Sequence, residues 1–285
     1  MNLNSWQERK IFEMNFFQKI FDFYINSSIH VGLAVVALAV ITALHFDIPA
    51  DIALLGFVFF GTITGYNFVK YAGVAKLHHR SLASGLKIIL IFSLFCFFFL
   101  IWFCFLVEVE ILIWTAIFGT FTLLYALPVF SKKRNLRSIS GIKIFIIAFV
   151  WAGVTVILPV VNTVEILSLD VLLELFQRFL LVLVWILPFE IRDLKYDLKQ
   201  LGTLPQRVGV TGTKVVGLIL LSLVVLTEFF KSTYSSATIL SFVLMALLSG
   251  ILVWKAKERQ SAYYASFWVE GIPIFWLLFL LIFKS

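Results

Sequence analysis

The segment LKIILIFSLFCFFFLIWFCFLV, residues 86–107, decides the fold class, because its only charged residue is Lys87. An apolar run of this length matches the roughly 20 residues that a helix needs to cross a bilayer core. Lipid offers no hydrogen-bond partner to the backbone, so such a run has to be helical. The sequence therefore predicts a membrane-spanning helix here.

Comparable runs recur along the whole chain, which is 61% hydrophobic and only 14% charged. Soluble domains carry about a quarter charged residues, so this composition excludes them. We predict an all-α polytopic membrane bundle of about nine transmembrane helices, with a count of eight as the alternative if the break at Glu108-Val109-Glu110 is not real. The predicted spans lie near residues 28–46, 51–70, 86–107, 110–130, 142–160, 171–189, 214–230, 236–254 and 265–283.

Two regions are expected along the chain. Phe12, Phe16, Ile20 and Tyr24 recur at helical spacing, which favours an interfacial helix within residues 1–27 on the cytoplasmic side. Residues 28–285 are then a single transmembrane domain, since nine spans of roughly 20 residues leave room only for short loops.

The basic residues predict the orientation. The N-terminal segment and every second loop after it hold 20 of the 23 Lys and Arg residues. The positive-inside rule places these segments in the cytoplasm, as expected for a multi-pass protein of the cell membrane. The net charge of +7 is thus explained by topology and by contact with anionic membrane lipid, and it indicates no nucleic acid. No protein partner is indicated either.

An acidic stripe follows the sixth predicted span. Glu190, Asp193 and Asp197 stand at positions i, i+3 and i+7, so a helix would carry all three on one face. Like charges so arranged repel one another, and a hard cation such as Mg²⁺ would offset the repulsion. The alternative is a solvated helix end, in which neighbouring cations neutralise the acids. These cations are Arg192, Lys195 and Lys199.

The run GTLPQRVG, residues 202–209, follows the stripe. Together they resemble the second signature of the UbiA family of intramembrane prenyltransferases, an Asp-x-x-Asp-x-x-x-Asp stripe followed by Thr-Leu-Pro-x-x-x-Gly. Glu190 takes the first Asp position, and the spacer from Asp197 to Thr203 is one residue shorter than is common. The family's Tyr-x-x-Pro and basic element is also matched. Its counterparts here are Tyr125, Pro128, Lys132, Lys133 and Arg134.

The first signature of that family, Asn-Asp-x-x-Asp-x-x-x-Asp, is altered in this chain. Asn67 matches the Asn, but Phe68, Tyr71 and Ala75 stand at the three Asp positions. Arg80 fits the Arg that usually follows. As a hypothesis, basic side chains at this position contact a diphosphate directly and replace one Mg²⁺, because lysine also binds phosphate as a point charge.

The resemblance implies a prenyltransferase that moves an isoprenoid group from its diphosphate to a lipophilic acceptor. Glu190, Asp193 and Asp197 are then the expected catalytic residues and Mg²⁺ ligands. A catalytically inactive relative that binds a lipid or quinone remains the alternative, since the first signature lacks its acids. The candidate substrate-binding residues are Asn67, Lys70, Lys76, Arg80, Tyr125, Lys132, Lys133, Lys199 and Glu270.

Two charged residues lie inside predicted spans. Glu270 falls in the ninth span, where a buried acid is costly and is a candidate for function by default. The alternative is a protonated, hydrogen-bonded structural residue beside Gly271 and Pro273. Arg178 falls in the sixth span, and we predict that it pairs with Glu174 one turn earlier.

Overall fold

A computed structural model describes residues 16–71, 84–127, 141–195, 202–232 and 235–284. All the regular structure in these ranges is helical, which confirms the all-α prediction. The helices are α1 Phe16–Asn26, α2 Ile29–His45, α3 Ile52–Tyr71, α4 Ser84–Cys104, α5 Val109–Ala126, α6 Lys143–Val160, α7 Leu169–Asp193, α8 Leu204–Glu228, α9 Ser236–Lys255 and α10 Tyr264–Lys284.

Eight of the described helices are long and apolar enough to cross a membrane, and α1 with α2 makes nine if the bent pair is one span. The pair is bent by 53°. Cys104 and Val109 bound a break between α4 and α5, so the predicted third and fourth spans are separate helices. The chain is therefore an integral, multi-pass membrane protein. That α1 lies in the membrane interface stays a prediction.

The seventh span was expected near residues 214–230, and helix α8, which contains most of this range, begins earlier, at Leu204, and is kinked at Gly209, where φ is +72°. Thr203 stands at the N-cap and Pro205 in the first turn, which are favourable positions for both residue types. The helix therefore starts within a polar stretch that hydropathy alone does not assign to a span.

Helix α7 lies at the centre of the bundle. About 67% of the apolar stretch of α7 is buried, against 11% of the apolar stretch of α4, which lies at the periphery. Helices α6 and α8 pack along it, while α2 packs against α3 and α10. Two helices contain a π-helical turn, Gly153–Ile157 in α6 and Tyr264–Val269 in α10.

A cluster of paired charges joins the helices at one end of the bundle. The Glu174 carboxylate accepts from Arg178 at 2.5 Å and from Lys231 at 2.7 Å, and it contacts His45 Nδ1 at 3.2 Å. Lys231 also pairs with Glu228 at 2.9 Å. We call these five residues the Glu174 network. The predicted pairing of Arg178 with Glu174 is thereby confirmed.

The Glu174 network is buried but balanced in charge. Arg178 is fully buried, and its guanidinium also donates to Leu38 O at 3.0 Å and Thr42 Oγ1 at 3.2 Å. Burial acts to lower the pKa of Lys231, but Glu174 and Glu228 outweigh it and raise the pKa above its usual value. Two acids therefore face two permanent cations, which offsets the cost of removing them from water.

Candidate functional site

The opposite end of the bundle carries the residues that the sequence selects as candidates. Asn67 is buried there near the end of α3, and all its polar capacity is used. Its Nδ2 donates to Ser27 O at 2.9 Å and to Ser93 Oγ at 2.7 Å, while its Oδ1 accepts from Ser28 Oγ at 2.8 Å. Asn67 therefore ties α3 and α4 to the bend between α1 and α2.

Phe68 and Tyr71 of α3 stand where the resembled signature has acids. The Tyr71 hydroxyl donates to Asn26 O at 2.9 Å, so it also fastens α3 to the end of α1. Phe68 is 40% exposed. Lys70 lies between them, and its Nζ donates to Ser28 Oγ at 3.3 Å. The end of α3 thus presents one ammonium where the resembled signature would carry carboxylates.

Glu270 sits at the end of the π-helical turn in α10 and is half-buried. Its backbone N–H donates to Ala265 O at 3.0 Å, the wide spacing of a π turn, which is often found at functional sites. The carboxylate interacts electrostatically with Lys70 and Arg192, and with the phenols of Tyr24 and Tyr66. We call these five residues the Glu270 cluster. Its members come from α1, α3, α7 and α10.

The next residue fixes where Glu270 lies. A Cβ added to Gly271 would stand 2.6 Å from Phe267 O and 3.1 Å from His30 Nε2, so only glycine fits. His30 is buried and bridges two elements: Nδ1 contacts the Tyr24 hydroxyl at 2.7 Å, and Nε2 contacts Phe267 O at 2.9 Å. The imidazole therefore holds Tyr24 and the π turn together beside Glu270.

Aromatic side chains adjoin the cluster. Trp151 Nε1 donates to the Tyr66 hydroxyl at 2.8 Å, and the two rings meet edge to face. Tyr66 also interacts electrostatically with Tyr125, which is buried in α5. Tyr125, selected from the sequence as a substrate residue, is thus one phenol away from Glu270. Aromatic faces in such a position can stabilise a passing cation.

Each described acid of the predicted metal stripe has a cationic partner. Glu190 is 2% exposed and accepts from Lys143 at 2.7 Å. Asp193 accepts from Arg192 through Nε at 2.7 Å and Nη2 at 3.2 Å. Glu190 lines a cavity of about 330 Å³ between α6, α7 and the start of α8. Thr203 and apolar side chains form other parts of its walls.

Two carboxylates one turn apart match the one or two that Mg²⁺ usually takes from a protein. Within the described ranges, no three His, Cys, Asp or Glu residues are grouped closely enough to hold a metal ion. Asp197, the third acid of the stripe, lies outside these ranges. Magnesium binding by Glu190, Asp193 and Asp197 therefore stays a prediction. It requires Lys143 and Arg192 to release the carboxylates.

Solved structures now give the architecture a precedent. The chain superimposes on the apo structure of a UbiA homologue from Aeropyrum pernix K1 with a TM-score of 0.65, over 90% of this chain and 99% of the other, at 16% identity. It matches a digeranylgeranylglyceryl phosphate synthase with a TM-score of 0.55, over 93% and 97%, at 17% identity. The chain has the UbiA fold. No family model and no curated protein sequence matches it.

The UbiA fold confirms the structural side of the resemblance seen in the sequence, at identities too low to transfer an activity. The described candidates Asn67, Lys70, Glu190, Asp193 and Glu270 all lie at one end of the fold. Their roles in binding and catalysis stay predictions. Five further candidates lie outside the described ranges, so their positions are not part of this geometry. These are Lys76, Arg80, Lys132, Lys133 and Lys199.

Sequence reasoning missed several members of this site. Tyr24, His30, Tyr66 and Trp151 are single aromatic residues in an aromatic-rich chain, with no spacing that separates them from lipid-facing rings. Lys143 was counted only as a topology marker. A usable signal existed for Lys143 alone, because a lysine at the first turn of a span faces the same membrane end as the acidic stripe.

Proposed function

We propose that this protein is a UbiA-type prenyltransferase, which moves an isoprenoid group from its diphosphate to a lipophilic acceptor. The supporting observation is that Lys70 and Arg192, far apart in sequence, are brought to one charged cluster at the end of a UbiA fold where the resembled signatures fall. Cations so placed suit the diphosphate of a donor whose apolar tail lies among helices.

In this proposal, different residues of the site have different roles. Lys70 and Arg192 bind and orient the diphosphate and offset the charge that collects on it as the donor's C–O bond breaks. Tyr66, Tyr125 and Trp151 offer ring faces to the allylic cation. Mg²⁺, held by Glu190, Asp193 and Asp197, would supply further charge neutralisation on the leaving diphosphate. The positive-inside rule predicts that this end of the bundle faces the cytoplasm.

The assay uses purified protein in lipid nanodiscs with Mg²⁺, labelled geranyl, farnesyl or geranylgeranyl diphosphate, and a panel of aromatic, quinol and glycerol-lipid acceptors. Diphosphate release and label in the lipid extract are measured. Asp193→Asn and Lys70→Gln should lower turnover at least tenfold, because each removes a group assigned to metal or diphosphate. Glu258→Gln, an exposed acid of the loop after α9, is the matched control and should turn over as the wild type does.

A second function has its own support. An inactive relative that binds a prenyl lipid or quinone is favoured by Phe68 and Tyr71 at acidic positions and by the ion pairs that occupy Glu190 and Asp193. In that case the wild type binds a prenyl lipid tightly without releasing diphosphate from any donor. Asp193→Asn then leaves the affinity for that lipid unchanged, whereas it lowers turnover in the enzyme.

A further inference from the structure

The cavity that Glu190 lines is a groove between α6 and α8, and we call it the α6–α8 groove. Its floor is α7, where Leu183, Leu187 and Glu190 follow one another at helical spacing and are all buried. Helices α6 and α8 both pack on α7 and form the two sides. Phe145 of α6 lines the groove and is 51% exposed, so the groove opens at the surface of the bundle that faces lipid.

The groove is apolar along its length and charged at one end. The rise of a helix gives about 10 Å from Leu183 to Glu190, which fits within the roughly 15 Å of hydrocarbon in one half of a bilayer. The apolar side walls are formed by Ile144, Phe145, Val216 and Leu220. A slot that follows a membrane-spanning helix and ends at its polar end has the direction of a lipid chain in the bilayer.

The polar end of the groove has an excess of positive charge. Its charged lining residues are two cations, Lys143 and Arg207, and one acid, Glu190. Lys143 Nζ donates to Glu190 Oε1 at 2.7 Å, so the acid is neutralised and does not repel an anion. Arg207 is exposed near the start of α8, and its Nε donates to Gly202 O at 2.9 Å. The backbone dipole at this end of α8 also favours negative charge.

We propose that the α6–α8 groove binds an anionic phospholipid, with one acyl chain along α7 and the headgroup phosphate on Arg207 and Lys143. Guanidinium and ammonium groups bind phosphate oxygens through charge-assisted hydrogen bonds. The groove does not use the cations assigned to the donor diphosphate, because Arg192 leaves α7 about 200° around the helix axis from Glu190. The inference therefore goes beyond the proposed function and holds whether or not the protein transfers a prenyl group.

Native mass spectrometry of the purified protein tests the headgroup, because each bound lipid adds its own mass. Dissociation constants are measured for phosphatidylglycerol and phosphatidylcholine with the same acyl chains, so that the two lipids differ in the net charge of the headgroup. Arg207→Gln removes the exposed cation, whereas Arg207→Lys keeps a charge and loses the Nε bond to Gly202. Arg259→Gln is the matched control, because Arg259 is exposed in the loop after α9, at the same end of the bundle.

A second pair of variants tests the acyl chain. Val216→Trp fills the groove from the α8 side and should weaken both lipids alike, since it blocks the chain and leaves the headgroup contacts in place. Its control is Val215→Trp, because Val215 is 44% exposed and lies outside the lining of the groove. Thermal unfolding verifies that each variant is folded.

The wild type should bind phosphatidylglycerol more tightly than phosphatidylcholine. Arg207→Gln should lose roughly fivefold in affinity for phosphatidylglycerol, the usual contribution of one basic side chain near an anionic membrane surface. Arg207→Lys and Arg259→Gln should stay close to the wild type. Equal affinity for the two lipids overturns the inference. An Arg207→Lys variant as weak as Arg207→Gln also overturns it, because the effect then belongs to the bond with Gly202. Displacement of phosphatidylglycerol by geranylgeranyl diphosphate would make the groove a donor site instead.

Discussion

The Glu174 network and the Glu270 cluster are two groups of charges at opposite ends of one bundle, and they are built differently. In the Glu174 network, every acid touches its cations directly at 2.5–3.2 Å. In the Glu270 cluster, the carboxylate influences Lys70 and Arg192 without contacting either at ion-pair distance. The acids of the Glu174 network are thus neutralised by direct contacts, although His45 Nε2 and Arg178 Nε are buried there without a hydrogen-bond partner among the described residues. The cations near Glu270 pair with other groups, Arg192 with Asp193 and Lys70 with Ser28. The Glu270 end is the functional candidate because the residues selected from the sequence lie there.

The largest expected effect comes from breaking the Glu174 network. Glu174→Gln leaves Arg178 and Lys231 buried without their shared counter-charge. Losing one partner of a buried pair typically costs about 3–5 kcal/mol, so the unfolding temperature should fall sharply. Thermal unfolding in nanodiscs measures this. The double variant Glu174→Leu with Arg178→Met should recover part of the loss; a single variant as stable as the wild type would contradict a structural role.

Lys70→Gln tests the Glu270 cluster, the second of the two groups of charges. A hydrogen bond to a charged group contributes about 1.5–3 kcal/mol, so removing this ammonium should weaken diphosphate binding roughly 10-fold to 150-fold. The unfolding temperature should barely change, because Lys70 makes one long contact with Ser28. Calorimetric titration gives the affinity, and Lys257→Gln, an exposed lysine, is the control. A large loss of stability with unchanged affinity would place Lys70 among the structural charges.

Asn67→Ala tests a residue that lies at the candidate site but whose hydrogen bonds go to other residues of the protein. A structural role is therefore expected. The substitution removes three hydrogen bonds and leaves the Ser28 O–H and the Ser27 carbonyl without Asn67, although Ser28 Oγ still accepts from Lys70. This change should destabilise the protein by about 1–3 kcal/mol. Thermal unfolding measures the loss. Ser93→Ala removes only one of the three bonds and should cost less. If Asn67→Ala instead abolished diphosphate binding at unchanged stability, Asn67 would be a substrate ligand.

The smallest effect on stability is expected from Tyr66→Phe. It removes one hydroxyl that accepts from Trp151 at 2.8 Å, a change of about 0.5–1.5 kcal/mol. The ring face remains, so cation stabilisation should persist while the electrostatic interaction of the hydroxyl with Glu270 is lost. Turnover and unfolding temperature are compared with those of Trp151→Phe, which removes the donor of the same bond. Equal effects of the two variants would mean that only the hydrogen bond matters.

The sequence predicted the helices well because each span is encoded locally, as a run of about 20 apolar residues. It predicted the Arg178–Glu174 pair for the same reason, since the two residues are one turn apart. It did not predict that Lys231 and His45 complete that network, or that Lys70 and Arg192 act electrostatically on Glu270. These interactions join parts of the chain that are distant in sequence, and no periodicity in one sequence records which helices become neighbours.

The predicted metal stripe shows the same limit on a smaller scale. The spacing of Glu190, Asp193 and Asp197 suggested one acidic face. The structure gives the first two acids different partners, Lys143 from α6 for Glu190 and Arg192 from the same helix for Asp193. Only the second of these was visible in the sequence as a neighbouring cation. The helical spacing shows which side chains share a face. The contacts that each side chain makes decide whether those side chains can bind a metal ion together.

The Arg178–Glu174 pair also affects how the protein is made. A charged residue inside a span disfavours its entry into lipid, by about 2.5–3.5 kcal/mol at the helix centre and less toward the ends. Because Glu174 lies on the same helix, α7 reaches the membrane already carrying a counterion. Leu38 O and Thr42 on α2, synthesised earlier, can then receive the guanidinium, whereas Lys231 pairs with Glu174 only after α8 has emerged. The described hydrogen-bond partners of Arg178 are therefore all synthesised before Lys231 reaches Glu174.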